Sequence, residues 1–111
     1  AATTAQQQII RAGRLTIDPV RHTTTLGDKE IDLTPTEFTL LLTMASVPGQ
    51  LFTRTRLLDA LGFDYEGMER TVDSHIKNLR AKLGDDPRDP QFVLTVFGAG
   101  YKFAEQTGEH D

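Results

Sequence analysis

The stretch Glu69–Leu83, ERTVDSHIKNLRAKL, decides how the rest of the chain is read. Val72, Ile76, Leu79 and Leu83 recur at offsets of four, three and four, so a helix of about 3.6 residues per turn stacks them on one stripe. At about 100° per residue, the opposite face carries Arg70, Ser74, Lys77, Asn78 and Ala81. Asp73 and Arg80 lie along one flank, Thr71 and Lys82 along the other. From Arg70 to Leu83, four basic residues (Arg70, Lys77, Arg80, Lys82) stand against one acid, Asp73, a local formal charge of +3. The spacing predicts a helix fastened by aliphatic side chains that shows cations and short hydrogen-bonding groups to water. Such a face suits the major groove of a duplex. Many amphipathic helices carry a charged face that is merely solvated, so the remaining sequence has to decide between the two readings.

With 111 residues and 38% hydrophobic content, the chain can build one core in one compact domain. No apolar run approaches the ~20 residues that span a bilayer, and no signal-peptide pattern is visible. The absence of cysteine excludes disulfides, thiolate chemistry and cysteine-ligated zinc. A soluble cytoplasmic protein without membrane contact is expected, and an initial Ala in place of Met fits a fragment of something longer. The formal net charge of −4 and pI near 5.3 weigh mildly against nucleic acid. Salt nevertheless screens distant charges over ~8–10 Å, so local charge governs binding. Much of the excess acid lies away from the basic helix, in Asp85, Asp86 and Asp89 and in Glu105, Glu109 and Asp111.

Residues 1–13 read as a linker lead-in with the start of a first strand, AATTAQQQ being small and polar. Residues 14–104 read as the folded domain, and 105–111 as a flexible acidic tail. Between Arg14 and Leu33 the pattern favours a small antiparallel sheet. Leu15 and Ile17 alternate with polar neighbours, Asp18-Pro19 breaks the run, RHTTTL (21–26) is rich in β-branched Thr, and Gly27-Asp28 turns into KEIDL. His22 is expected as a surface strand residue. Thr34-Pro35-Thr36-Glu37 is a helix-start signal: Thr caps, Pro fits the first helical position and Glu completes a capping box. The helix it opens puts Phe38, Leu41, Leu42 and Ala45 on a core stripe and stops near Pro48-Gly49. Thr53 caps a second helix, RTRLLDAL, with Leu57, Leu58 and Leu61 inward and Gly62 as its end. A loop, GFDYEGM (62–68), leads to the basic helix, after which Gly84 is a stop and Asp85–Pro90 a polar turn. FVLTVFGAGYKF (92–103) then reads as two strands joined by Gly98-Ala99-Gly100. Its glycines permit positive φ and close backbone approach.

An N-terminal sheet, three helices and a β-hairpin make an α+β, winged helix-turn-helix plan. Three motifs in order, LTPTEFTLLLTMASVPGQLFTRTRLL (33–58), RTVDSHIKNLRAKL (70–83) and TVFGAGYKF (95–103), carry a specific resemblance. Over roughly Arg14–Phe103 the sequence resembles the C-terminal effector domain of bacterial two-component response regulators of the OmpR/PhoB type. The resemblance implies a sequence-specific double-stranded DNA-binding output domain, with helix 69–83 in the major groove and wing 93–104 at the adjacent minor groove. It implies base reading by Asp73, Ser74 and Asn78, the Asp accepting from cytosine N4 and the Asn bridging adenine N6 and N7. It implies phosphate contacts from Arg54, Arg70, Thr71, Lys77, Arg80, Thr95, the Gly98 backbone, Tyr101 and Lys102. At the wing tip, where many members carry Arg, this chain has Phe97, which cannot exploit the negative potential of a narrow minor groove. Loop residues Asp64, Tyr65 and Glu66 match a segment that touches RNA polymerase in the family, although this loop is a residue shorter and lacks a Trp often found at its start. The further implied partners are tandem DNA half-sites, a receiver domain of the same parent protein and, through it, a sensor kinase; the isolated domain is expected to be monomeric.

The alternative from another class is a winged helix used only for protein–protein contact, to which the acidic total and Phe97 lend some support. Catalysis finds no footing. The three histidines are scattered, no HExxH or paired-ligand spacing appears, and the Gly-Ala-Gly lies in a hairpin where no helix follows to cradle a phosphate. No metal and no cofactor is expected.

Overall fold

Short strands of alternating polarity open the fold and roof its helices. The computed structural model describes residues 9–62, 69–86, 88 and 90–105. Strands β1 (Ile10–Ala12), β2 (Leu15–Asp18), β3 (Thr23–Leu26) and β4 (Lys29–Ile31) form an antiparallel sheet in sequence order. Ile10 pairs with Ile17, Leu15 with Leu26 and Thr24 with Ile31. Ala12, Leu15, Ile17 and Thr24 are buried on the inner face, the one-sided burial expected of such a sheet. β1 precedes the Arg14–Leu33 stretch in which alternation is legible, because three residues are too few to display a period.

His22 is on the surface as expected, but not in a strand. The Asp18 carboxylate accepts from the Val20 and Arg21 amides and ends β2, which leaves His22 in a turn with φ 59°. Its ring stacks on Phe38 at 4.2 Å, an apolar contact that offsets the unusual backbone.

Helix α1 (Pro35–Ala45) starts where the sequence places it. Thr34 Oγ1 accepts from the Glu37 amide at 3.1 Å and Glu37 Oε1 accepts from the Thr34 amide at 3.0 Å, a complete capping box. Leu40 and Met44 are buried along with Phe38, Leu41 and Ala45, whereas Leu42 is only half-buried. The helix is wrapped on more than one side because it packs against α2 (Arg54–Leu61), α3 (Glu69–Leu83) and the last strand. Helix α2 is capped by Thr53 and ends at Gly62, whose φ of 75° is the left-handed stop that glycine supplies.

Val72, Ile76, Leu79 and Leu83 of α3 are all buried in the single core, each such side chain stabilising the docked helix by roughly 1.5–3 kcal/mol. The hairpin β5 (Val93–Val96) and β6 (Gly100–Phe103) closes the fold, with Val93, Tyr101 and Phe103 inward. Asp85, expected in a polar turn, is 5% exposed, and its carboxylate accepts from the amides of Gln91, Phe92 and Val93. A side chain thereby satisfies the backbone donors that lead into β5.

Candidate nucleic-acid interface

The core stripe of α3 dictates what its other faces do. Arg70, Ser74, Lys77, Asn78 and Ala81 are exposed in a row, as the helical period requires. Thr71 is half-buried on one flank. On that flank Lys82 Nζ donates to Glu37 Oε1 at 2.7 Å, joining the end of α3 to the start of α1. Burial pushes the Glu37 carboxyl up, but the bond from Lys82, the Thr34 amide and the Lys82 charge outweigh it, so the group falls below the usual range.

On the opposite flank, Thr53 caps α2 and sets Arg54 in its first turn. From there Arg54 Nε donates to Asp73 Oδ1 at 2.7 Å, and the Tyr101 hydroxyl donates to the same oxygen at 2.6 Å. The guanidinium carbons of Arg54 and Arg80 lie 5.7 and 5.6 Å from the centre of the Tyr101 ring, within cation–π range. Burial raises the Asp73 carboxyl, and the bonds from Tyr101 and Arg54 with the Arg54 charge overcome it, leaving Asp73 lowered. Burial, then the bond to Asp73, raises the Tyr101 phenol, so it stays a neutral donor. The bond to Asp73 raises Arg54 still further.

Arg80 ties the wing to the same flank. Its Nε and Nη2 donate to the Val93 carbonyl at 3.2 and 3.0 Å, and Nη2 also donates to Thr95 Oγ1. The other edge of the wing is braced by the segment between α1 and α2. Phe52 and Tyr101 exchange backbone hydrogen bonds of 2.8 and 3.0 Å, and the Gly49 amide donates to the Phe103 carbonyl at 2.8 Å. This brace explains Gly100, where a Cβ would collide with the Phe52 carbonyl oxygen. Gly98 turns the tip with φ 79°, and Phe97 stands there 92% exposed.

The structure thus brings together most of the residues singled out from the sequence but ties five of them to one another or to the wing: Arg54, Asp73, Arg80, Thr95 and Tyr101. Ser74, Asn78, Arg70 and Lys77 face solvent on α3, and Lys102 is half-buried on β6. Asp73, expected to read a base, has Oδ1 occupied by Arg54 and Tyr101. Tyr101, expected at a phosphate, is buried, and its hydroxyl hydrogen is committed to Asp73. Arg80, also expected at a phosphate, spends its Nε and Nη2 donors on the wing. Helical geometry could place Asp73 and Arg80 on one flank, yet it could not say that α2 and the wing would arrive there. Asp64, Tyr65 and Glu66 lie outside the described residues. Among the described residues no group of three His, Asp or Glu side chains could hold a metal ion, and no helix is long and apolar enough to cross a membrane.

Residues 28–103 match the family model described as "Transcriptional regulatory protein, C terminal". The chain belongs to this family. It is 43% identical over 96 residues to the DNA-binding response regulator MtrA of Mycolicibacterium smegmatis, covering 86% of this chain and 42% of that protein. Against the transcriptional regulatory protein BaeR of Escherichia coli O6:H1 it is 44% identical over 90 residues, 80% of this chain and 38% of BaeR. The chain therefore spans about two fifths of the length of these curated relatives. Among solved structures, the Klebsiella pneumoniae RstA DNA-binding domain in complex with RstA box superposes with a TM-score of 0.80 at 41% identity, over 87% of this chain and 97% of that one. Response regulator DrrB, a Thermotoga maritima OmpR/PhoB homolog, gives a TM-score of 0.82 at 32% identity, over 93% of this chain and 48% of DrrB. The domain is an OmpR/PhoB-type C-terminal effector domain with the family's winged-helix fold.

Proposed function

We propose that this OmpR/PhoB-type domain binds double-stranded DNA sequence-specifically, as the output domain of a two-component transcriptional regulator working in the cytoplasm. Helix α3 lies in the major groove and the wing meets the adjacent minor groove. The observation that carries this reading is the exposed row Arg70, Ser74, Lys77 and Asn78, backed by four buried aliphatics that leave the helix no freedom to turn that face inward. The likeness to RstA solved with its DNA box supports it. Ser74 and Asn78 read base edges, Asn78 being suited to adenine N6 and N7. Arg70, Thr71, Lys77, Arg54, Lys102, the Thr95 hydroxyl and the Gly98 amide hold phosphates, helped by the free amides at the start of α2. In the parent protein, a receiver domain answering a sensor kinase pairs such domains on half-sites about one helical turn apart. Asp64, Tyr65 and Glu66 supply the contact with RNA polymerase. The function is binding, not catalysis.

Phe97, exposed on a chain of net charge −4, is the feature that favours a second reading, a module for protein contact alone. One experiment separates the two: selection of bound sites from a random duplex pool, followed by R70A/K77A on the selected duplex. DNA binding predicts enrichment of a defined site and at least a tenfold affinity loss in the folded double variant, about 1.4 kcal/mol. Failure to enrich any site would overturn the reading.

A further inference from the structure

Asp73 sits at the only place among the described residues where α2, α3 and the wing share one charged atom. Its Oδ1 takes a bond from Arg54 of α2 at 2.7 Å and a bond from Tyr101 of β6 at 2.6 Å. A guanidinium has a planar fork of donors, and Asp73 takes the Nε of Arg54, so the amino groups still have donors to give elsewhere. Two cations, Arg54 and Arg80, lie 5.7 and 5.6 Å from the centre of the Tyr101 ring, and Arg80 in turn holds the Val93 carbonyl and Thr95. Five side chains from three elements therefore form one connected seam beside the exposed face of α3.

We propose that Asp73 is a positioning residue for DNA binding: it aims the free end of Arg54 at the phosphate backbone and, through Tyr101, sets the wing against α3. Its own carboxylate makes no contact with phosphate, since two anions would repel. The long, flexible Arg54 would otherwise be ordered only at the moment of binding, at a cost of about two- to tenfold in affinity for such a side chain. With Asp73 in place that order exists beforehand. The consequence is a signature that base reading by Asp73 would not give. Weakening a phosphate contact lowers affinity evenly across sequences, and removing it outright, as in R54A, also makes the salt dependence shallower by about one unit of slope. Losing a base contact weakens only the matching sequence and leaves the slope alone.

The proposal rests on the DNA-binding reading, and the test keeps the two apart. Affinities of wild type, D73A, Y101F, R54A and D73A/R54A are measured by fluorescence anisotropy over a salt series. Two duplexes are used, one selected by the wild-type domain from a random pool and one of unrelated sequence. D73A is expected to lose about two- to tenfold on both duplexes, and D73A/R54A to bind worse than R54A by no more than the Y101F loss. Y101F keeps the ring and loses only the hydroxyl, so it should fold and show a smaller loss on both duplexes. Unchanged affinity in D73A and Y101F, or a D73A loss confined to the selected duplex, would overturn the positioning role. Wild type that binds neither duplex would overturn the DNA-binding reading itself.

Discussion

Replacing Lys82 by Met should cost the fold about 1–3 kcal/mol at neutral pH, the penalty of leaving a buried acceptor without its charged partner. Glu37 is 2% exposed, accepts from Lys82 Nζ at 2.7 Å and from the Thr34 amide at 3.0 Å, and would keep only the second bond. The loss should stay below the 3–5 kcal/mol seen on breaking a fully buried pair, because the Lys82 side chain is 37% exposed and water can reach the site. Methionine preserves the length of the apolar stem, so the packing changes little. The pH dependence gives the sharper signature. In wild type the folded-state Glu37 carboxyl lies below its ordinary value, so its contribution is complete above the unfolded pKa and fades as pH falls through the folded one. In K82M the bond and charge of Lys82 are gone, and burial, the largest influence on this carboxyl, pushes it upward. The K82M deficit should therefore be greatest near pH 7 and shrink toward pH 4, where Glu titrates. The E37Q/K82M pair, which retains an acceptor for the Thr34 amide and no charge, should recover much of the loss. Urea unfolding of wild type and the two variants at both pH values measures this. A K82M loss below about 0.5 kcal/mol with no pH trend would place the pair among ordinary exposed ion pairs and refute the reasoning.

Three other perturbations probe separate parts of the structure. Phe97→Arg should raise the preference for A·T-rich flanking sequence by supplying a cation to a narrow minor groove; unchanged affinity and flank preference in a binding titration would count against the wing's placement. Gly100→Ala drives a methyl into the Phe52 carbonyl oxygen and should cost about 1–3 kcal/mol of overpacking strain, visible in thermal melts, whereas Gly98→Ala meets no neighbouring atom and pays only for φ 79°. Ile76→Ala should cost about 2–5 kcal/mol, because its side chain is 1% exposed at the seam that holds α3 down; a loss under about 1 kcal/mol in chemical denaturation would mean that α3 is not anchored there.

The helices were legible because their signals are local. Thr34, Pro35 and Glu37 fix the start of α1 within four residues, Thr53 and Gly62 bracket α2, and the four-three-four spacing of α3 turns directly into a buried stripe. The exposed half of the candidate site follows from that same period. What the period cannot convey is which element lies against each flank. Asp73, Arg80 and Tyr101 took their surroundings from contacts 13 to 28 residues distant in the chain, and the Lys82–Glu37 pair spans 45 residues. Asp85 was missed for a related reason: a carboxylate in a Gly-Asp-Asp-Pro turn reads as solvated, and only the return of residues 91–93 shows that it is the acceptor for their amides.

The central claim is that the outward face of α3 lies on a DNA backbone, and the salt dependence of binding tests it most directly. Anisotropy titrations of a selected duplex between about 50 and 200 mM salt should give log K falling against log salt with a slope of roughly −3 to −5, at about −0.9 per neutralised phosphate, with R70A and K77A each shallower by about one. A slope near zero, or a slope that neither substitution changes, would contradict it.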